Sequence, residues 1–260
     1  AACSRSAPPE EPVRSVKLLT VGVGSMQSSL EYSGEVRARV ESRLGFRVAG
    51  KIVQRQAELG QRVKAGQVLA QLDPRDYQLA ADAARAQLAS ATTQRDLAAA
   101  DFKRFQALKD QNFISGAELE RRAATLKAAQ DTLDQARAQL SSQGNQTAYT
   151  TLVADVAGVV TGIEAEPGQV VAAGTPVVRI AQDGARDVGF AVPEDKVGLI
   201  KPGQDVTARG WSGGAPLAGR VREVAASADA ATRTYQVKVA LEGAEVPALG
   251  ATVYVTPMAL

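Results

Sequence analysis

The sequence predicts an elongated multidomain chain of mixed α and β class, in which a small β-sandwich is split in two by a long antiparallel helical hairpin and a further β region follows. Three observations predict it. The phrase "ELGQRVKAGQ" at residues 58–67 returns, altered, as "EPGQVVAAGT" at 166–175, an offset of 166 − 58 = 108 residues. Residues 74–146 hold one glycine, Gly116, before the last turn and are rich in Ala, Gln, Leu, Arg and Asp, a helix composition. From residue 147 short strands with glycine or proline turns resume and run to Pro257.

Composition excludes several classes of function. The chain of 260 residues is 45% hydrophobic, so a core can form, but only 4% aromatic, so that core is built from Ala, Val and Leu. With no histidine, His-based acid–base chemistry and His metal sites are excluded, and one cysteine excludes an internal disulfide. A net charge of +2, from 30 basic and 28 acidic residues, gives no reason to expect nucleic acid. No stretch reaches the roughly 18 apolar residues of a bilayer-spanning helix.

The N-terminal residues 1–12 read as a flexible, Pro-rich leader. Ala1-Ala2-Cys3 matches the end of a bacterial lipobox, two small residues before a cysteine that is cleaved and lipidated; a lone exposed cysteine in a disordered leader is the alternative. Residues 16–42 alternate like strands, in "VKLLTVGV" and "SLEYSGEVRARV".

The helical block has a period of 3.5 residues. Tyr77, Ala81, Ala84, Leu88, Ala91, Arg95, Ala98, Phe102 and Phe105 alternate steps of four and three, and Leu119, Leu126, Leu133 and Leu140 recur every seven. That is the seam of a left-handed coiled coil. Ser115 with Glu118 three residues on marks a helix start, so two helices of about 30 residues, roughly 45 Å each, meet at a short turn. Arg95 in the seam is expected to reach out along the apolar groove.

On either side of the hairpin, Gly50, Gly60 and Gly66 have the same ten-and-six spacing as Gly158, Gly168 and Gly174. Ala57 matches Ala165, Glu58 Glu166, Gln61 Gln169, Val63 Val171, and Leu72 Ile180. Two copies of one β unit are expected, with each glycine in a positive-φ turn or bulge.

"GKIVQRQAELGQRVKAGQVLAQLD" and "GVVTGIEAEPGQVVAAGTPVVRI" resemble the two halves of a lipoyl or biotinyl domain. A carrier of that kind, an enzyme subunit, presents a modifiable Lys between its halves; here Leu72 is followed by Asp73-Pro74-Arg75 and no Lys. A lipoyl domain split by an α-hairpin resembles the periplasmic adaptor, or HlyD-like membrane fusion protein, family of tripartite resistance-nodulation-division efflux pumps. "VGFAVPEDKVGLIKPGQDVTA" and "GRVREVAASADAATRTYQVKVAL" resemble that family's β-barrel domain. The resemblance implies a lipidated leader at 1–12, the first strand of an otherwise absent membrane-proximal domain at 13–24, and a barrel from 25–42 and 183–257. It implies a lipoyl domain from 43–73 and 147–182 with the hairpin at 74–146.

It also implies a non-enzymatic adaptor without cofactor, catalytic group or metal, held in the periplasm by lipid on Cys3 at the inner membrane. Ser4 after Cys3 does not by itself point to that membrane. The implied partners are an inner-membrane transporter of the resistance-nodulation-division type, an outer-membrane channel and further copies of the chain, six in the family's arrangement. An ATP-driven or type I secretion system is the alternative setting. At the hairpin tip the resemblance implies a docking motif at Arg104, Leu108 and Ser115, spaced four and seven; a solvated Arg at a helix end and an N-cap Ser is the structural alternative. Trp211, in the turn-rich "RGWSGGAPL", reads as barrel packing, and Asp73 and Asp229 have no obvious acid–base partner.

Overall fold

A computed structural model describes residues 16–18, 30–243 and 246–258. The expected leader, its Cys3, and all but Val16–Leu18 of the expected strand at 13–24 lie outside the described residues. Fourteen strands and three helices follow in order among them: β1 (Tyr32–Ala38), β2 (Glu41–Gly45), β3 (Gly50–Arg55), β4 (Arg62–Val63), β5 (Val68–Leu72), α1 (Arg75–Asp110), α2 (Gly116–Ala148), β6 (Thr151–Val153), β7 (Gly158–Ile163), β8 (Val170–Val171), β9 (Pro176–Gln182), β10 (Arg186–Pro193), α3 (Glu194–Val197), β11 (Asp205–Gly210), β12 (Leu217–Val224), β13 (Thr234–Leu241) and β14 (Thr252–Pro257). The predicted mixed class with a split sandwich, a hairpin and a barrel is what the chain adopts.

The sandwich comes from the repeat. β3, β4 and β5 begin at 50, 62 and 68, and β7, β8 and β9 at 158, 170 and 176, all 108 residues on. The copies exchange their short strands. Gly50 in β3 pairs with Val171 in β8, and the equivalent Gly158 in β7 pairs with Val63 in β4. The sheets are therefore β2-β9-β7-β4 and β6-β5-β3-β8, each closed at one edge by a strand of the other copy. The core between them repeats as well: Ile52 and Val160, Val63 and Val171, Leu69 and Val177, and Leu72 and Ile180 are all buried. Because each copy covers an edge of the other, neither half is a finished sheet alone. β2 already belongs to this sandwich at Glu41, two residues before the expected entry at 43.

The repeated "GQ" has a physical meaning. Gly60 lies at φ +80°, and Gln61 N–H donates to the Glu58 carbonyl at 3.1 Å. The Gln61 side chain turns back, its Oε1 accepting from Glu58 N–H at 2.9 Å. The same two-way clamp closes Lys64–Gln67, Glu166–Gln169 and, in the barrel, Lys201–Gln204, each with a positive-φ glycine before the glutamine. Gly60 and Gly168 then donate to Val160 and Ile52 of the opposite copy, at 2.9 and 2.7 Å.

Two of the six glycines do not fit the turn expectation. Gly60, Gly66, Gly168 and Gly174 have positive φ, but Gly50 and Gly158 begin strands without it. Their constraint is space. A Cβ on Gly50 would sit 3.2 Å from Leu72 Cδ1, and one on Gly158 would overlap the Ala181 carbonyl oxygen and lie 2.9 Å from Ile180 Cγ2. Gly158→Ala is expected to destabilise the sandwich by about 1–3 kcal/mol through overpacking. Gly60→Ala, where a Cβ meets open space, carries only the left-handed strain of roughly 1–2 kcal/mol. Chemical denaturation separates them: Gly158→Ala is expected to lose more stability than Gly60→Ala, because its clash is with the backbone carbonyl of Ala181, which no side-chain rearrangement clears.

Six antiparallel strands, β1-β10-β13-β12-β11-β14, with β14 pairing back to β1, close the barrel. Val36, Val188, Val192, Val206, Val237, Val239, Val253 and Val255 fill it, with Tyr32 stacked on Phe190 at 5.4 Å. Small β-branched side chains suit so narrow an interior.

Candidate functional site: the hairpin arm and its tip

The two helices run to 36 and 33 residues, about 54 and 50 Å long, longer than expected. Every seam position predicted on α1 from Tyr77 to Phe105 is buried or half-buried, as are Leu119, Leu126, Leu133 and Leu140 on α2. The buried part is small: Ala81, Ala84 and Ala91 on α1 and Leu133 and Ala136 on α2, with Leu88 packed against the cluster of Ala91, Leu133 and Ala136. Arg95 is half-buried in a groove with Phe102 and Leu126, its Nε 3.1 Å from Asp96 Oδ1 without hydrogen-bond alignment. The arm is thus held by a narrow seam and by ion pairs within each helix, such as Arg85–Asp82 and Arg137–Asp134. Such exposed pairs each contribute about 0.3–0.5 kcal/mol at most.

The base of the arm is braced. Tyr77 Oη donates to the Ala49 carbonyl at 2.7 Å, and Thr147 Oγ1 reaches across to the Tyr77 carbonyl at 3.1 Å. Buried Thr150 donates its hydroxyl to Thr147 O at 2.7 Å, and the Arg47 guanidinium lies 3.8 Å over the Tyr149 ring. Asp73, just before α1, accepts from the Arg75 side chain and the Arg75 N–H. The Arg75 hydrogen bonds hold its carboxyl down at about 2. A depressed folded-state pKa means that this brace is complete above the ordinary value of 3.8 and is lost as pH falls toward about 2. An NMR titration of the Asp73 carboxyl is expected to show that low midpoint, and Arg75→Gln to return it upward.

At the far end α1 stops in a Schellman turn. Asn112 takes φ +63°, and Phe113 N–H donates to the Leu108 carbonyl at 3.0 Å. α2 then starts at its cap Ser115, whose Oγ accepts from Glu118 N–H at 3.3 Å. The Glu118 carboxylate pairs with Arg121 and Arg122, and Arg122 in turn lies 4.3 Å over Phe105 of α1, tying the helices together behind the turn. Leu108 is half-buried one turn beyond exposed Arg104, which pairs with Asp101 at 2.6 Å, so Arg104 and Leu108 share a face and Ser115 caps the next helix.

The residue that sequence reasoning passed over is Phe113. In a Schellman turn the side chain at its position commonly packs on the residue matching Leu108. Phe113 instead stays 73% exposed at the end of the arm. The signal was present in "NFIS", an aromatic placed directly after a left-handed Asn.

The remaining candidates resolve as structure. Asp229 caps its own turn, its carboxyl lowered by the backbone N–H and hydroxyl of Thr232 and by Ala231 N–H. Trp211 is not barrel packing: it is 71% exposed on the rim, tilted against Tyr254 at 5.7 Å, because the glycines after it carry the chain out of the sheet. Among the described residues no cluster of carboxylates or thiols is placed to hold a metal, and no helix is long and apolar enough to cross a membrane.

Comparison with known proteins bears on this architecture. A family described as "RND MFP, barrel-sandwich hybrid domain" matches residues 35–181, and one described as "CusB-like, beta-barrel domain" matches 188–256. A multidrug resistance protein MdtA of Photorhabdus laumondii is 26% identical over 243 residues, covering 90% of this chain and 61% of that protein. The MdtA of Pectobacterium carotovorum is 32% identical over 174 residues, 65% of this chain and 42% of that protein. The chain spans less than two thirds of the length of these curated relatives. Among solved structures, MacA from Actinobacillus actinomycetemcomitans superimposes with a TM-score of 0.65 at 22% identity, covering 93% of this chain and 82% of its own. A membrane fusion protein from Streptococcus pneumoniae R6 gives 0.69 at 20% identity, over 89% of this chain and 100% of that one. These two establish likeness of fold.

Proposed function

As a chain that belongs to the membrane fusion proteins of resistance-nodulation-division systems, we propose that this protein is the periplasmic adaptor of a tripartite efflux pump. It joins an inner-membrane transporter to an outer-membrane channel for export of drugs or other small molecules. The observation that carries this reading is the split sandwich, a rigid base from which a braced arm of about 50 Å projects and ends in an exposed aromatic. That construction supplies reach and a contact point, and its work is geometric rather than catalytic.

The barrel rests against the transporter. Copies pack side by side, six in the assembled pump, so that neighbours support arms whose own seams bury little. Arg104, Leu108 and Ser115 form the docking end with Phe113, and lipid on Cys3 holds the protein at the inner membrane. A lipoyl or biotinyl carrier is disfavoured by Asp73-Pro74-Arg75 where a modifiable Lys would stand. The test is affinity purification of the full-length protein from mildly solubilised envelopes. A transporter and an outer-membrane channel in the eluate are the expected result. Neither partner, with a lipoyl or biotinyl mass on the chain, would replace this reading by the carrier.

A further inference from the structure

Barrel and sandwich are joined by a two-stranded ribbon. β1 leaves the barrel at Ala38 and becomes β2 at Glu41; β9 leaves the sandwich at Gln182 and becomes β10 at Arg186. Pairing continues through the joint, with Arg39 N–H donating to the Ala185 carbonyl and Gln182 N–H to the Val40 carbonyl, both at 3.0 Å. Between the pairs Ala38↔Arg186 and Glu41↔Ala181, two residues on one strand oppose four on the other. The ribbon must bend there, and Gly184 at φ +117° takes up the excess. Backbone pairing alone leaves such a bend free to flex.

Asp187 stands beside the bend. Val188, Phe190 and Val192 of β10 fill the barrel, so the alternation of the strand turns Asp187 outward, yet its side chain is only 5% exposed. Two arginines cover it. Oδ1 accepts from Arg39 Nε and Nη2 at 3.1 and 3.0 Å, and Oδ2 from Arg222 Nε and Nη2 at 3.1 and 2.8 Å. Arg39 lies in the joint itself. Arg222 lies on β12, beyond β13, and is held by Glu223, which also binds Lys238 at 2.9 Å. One carboxylate therefore receives a planar two-nitrogen fork from the joint and another from the barrel wall, and a fork fixes direction as well as distance.

We propose that Asp187 is the positioning residue that sets the angle between barrel and sandwich, and with it the bearing of the arm. Arg222 anchors the carboxylate to the barrel, and Arg39 is the half that opens when the angle changes. Losing Arg39 leaves Asp187 paired with Arg222, so no buried charge is stranded and the joint can be released without unfolding the barrel. The inference rests on the joint alone and stands whether or not the protein serves an efflux pump.

The test uses the full chain with Cys3→Ser and spin labels at Ala191→Cys on the barrel and Ala172→Cys on the sandwich, both exposed positions away from the joint. Electron–electron distance measurement is expected to give one narrow distribution. Arg39→Ala should widen it roughly twofold with the melting temperature little changed, because the fork is the restraint on direction. Arg39→Lys, which keeps charge without the fork, should lie between. Arg222→Ala, which keeps the Arg39 fork on Asp187, should leave the distribution narrow. An Arg39→Ala distribution that coincides with the parent, or equal widening by Arg39→Ala and Arg222→Ala, would overturn the assignment.

Discussion

Phe113→Asp is expected to abolish export and capture of the channel and to leave the fold unchanged. Phe113 is 73% exposed and its neighbours hold the turn through the backbone, so replacing its ring removes little buried area from this chain. At an interface the same ring is a large rigid anchor, and truncating such an anchor costs about 2–4 kcal/mol. A carboxylate forced into the cavity that received the ring costs more. Channel binding should therefore fall by about a hundredfold or more, read as recovered channel on affinity purification and as drug sensitivity of a deletion strain carrying the variant. Circular dichroism and melting should match the parent. Export at the parental level would place the contact elsewhere, and the half-buried Leu108 and the cap Ser115 would not rescue the proposal.

Leu133→Asp is expected to dissolve the arm and spare the two β domains. Leu133 is fully buried in a cluster whose other buried members are Ala91 and Ala136. An unpaired carboxylate there has no partner to accept from, and its desolvation, several kcal/mol, exceeds what two alanines and Leu88 return. Even Leu133→Ala is expected to cost about 2–5 kcal/mol. The two helices contribute 36 + 33 = 69 residues, so the expected loss is most of the helical signal of the chain. The barrel and sandwich have separate buried clusters, and their strand signal and cooperative melting should persist. Simultaneous loss of all three would mean that the arm is needed to hold the split sandwich closed.

What could be read beforehand was what the chain repeats. An offset of 108 residues located both halves of the sandwich, because equivalent strands begin at equivalent positions. The 3.5-residue period located the seam, because burial follows it from Tyr77 to Phe105. What could not be read depends on partners distant in sequence or on one residue's surroundings. Asp187 meets Arg39 across 148 residues and Arg222 across 35, and no local pattern announces either. Gly50 and Gly158 resemble turn glycines in spacing, but their neighbours Leu72 and Ile180 impose the constraint. The glutamine after Gly60 and after Gly168 was visible as a match and became a clamp only once its Oε1 was located. Trp211 lies in a sequence that fits a buried turn, and the two glycines after it lead it outward instead.

The measurement that tests the arm most directly is photocrosslinking in living cells. A photoreactive phenylalanine analogue placed at Phe113 is compared with one at exposed Thr132, midway along α2. The account predicts that the tip probe crosslinks to an outer-membrane channel protein and the shaft probe only to further copies of this chain. A tip probe that yields no outer-membrane product, while the shaft probe does, would contradict it.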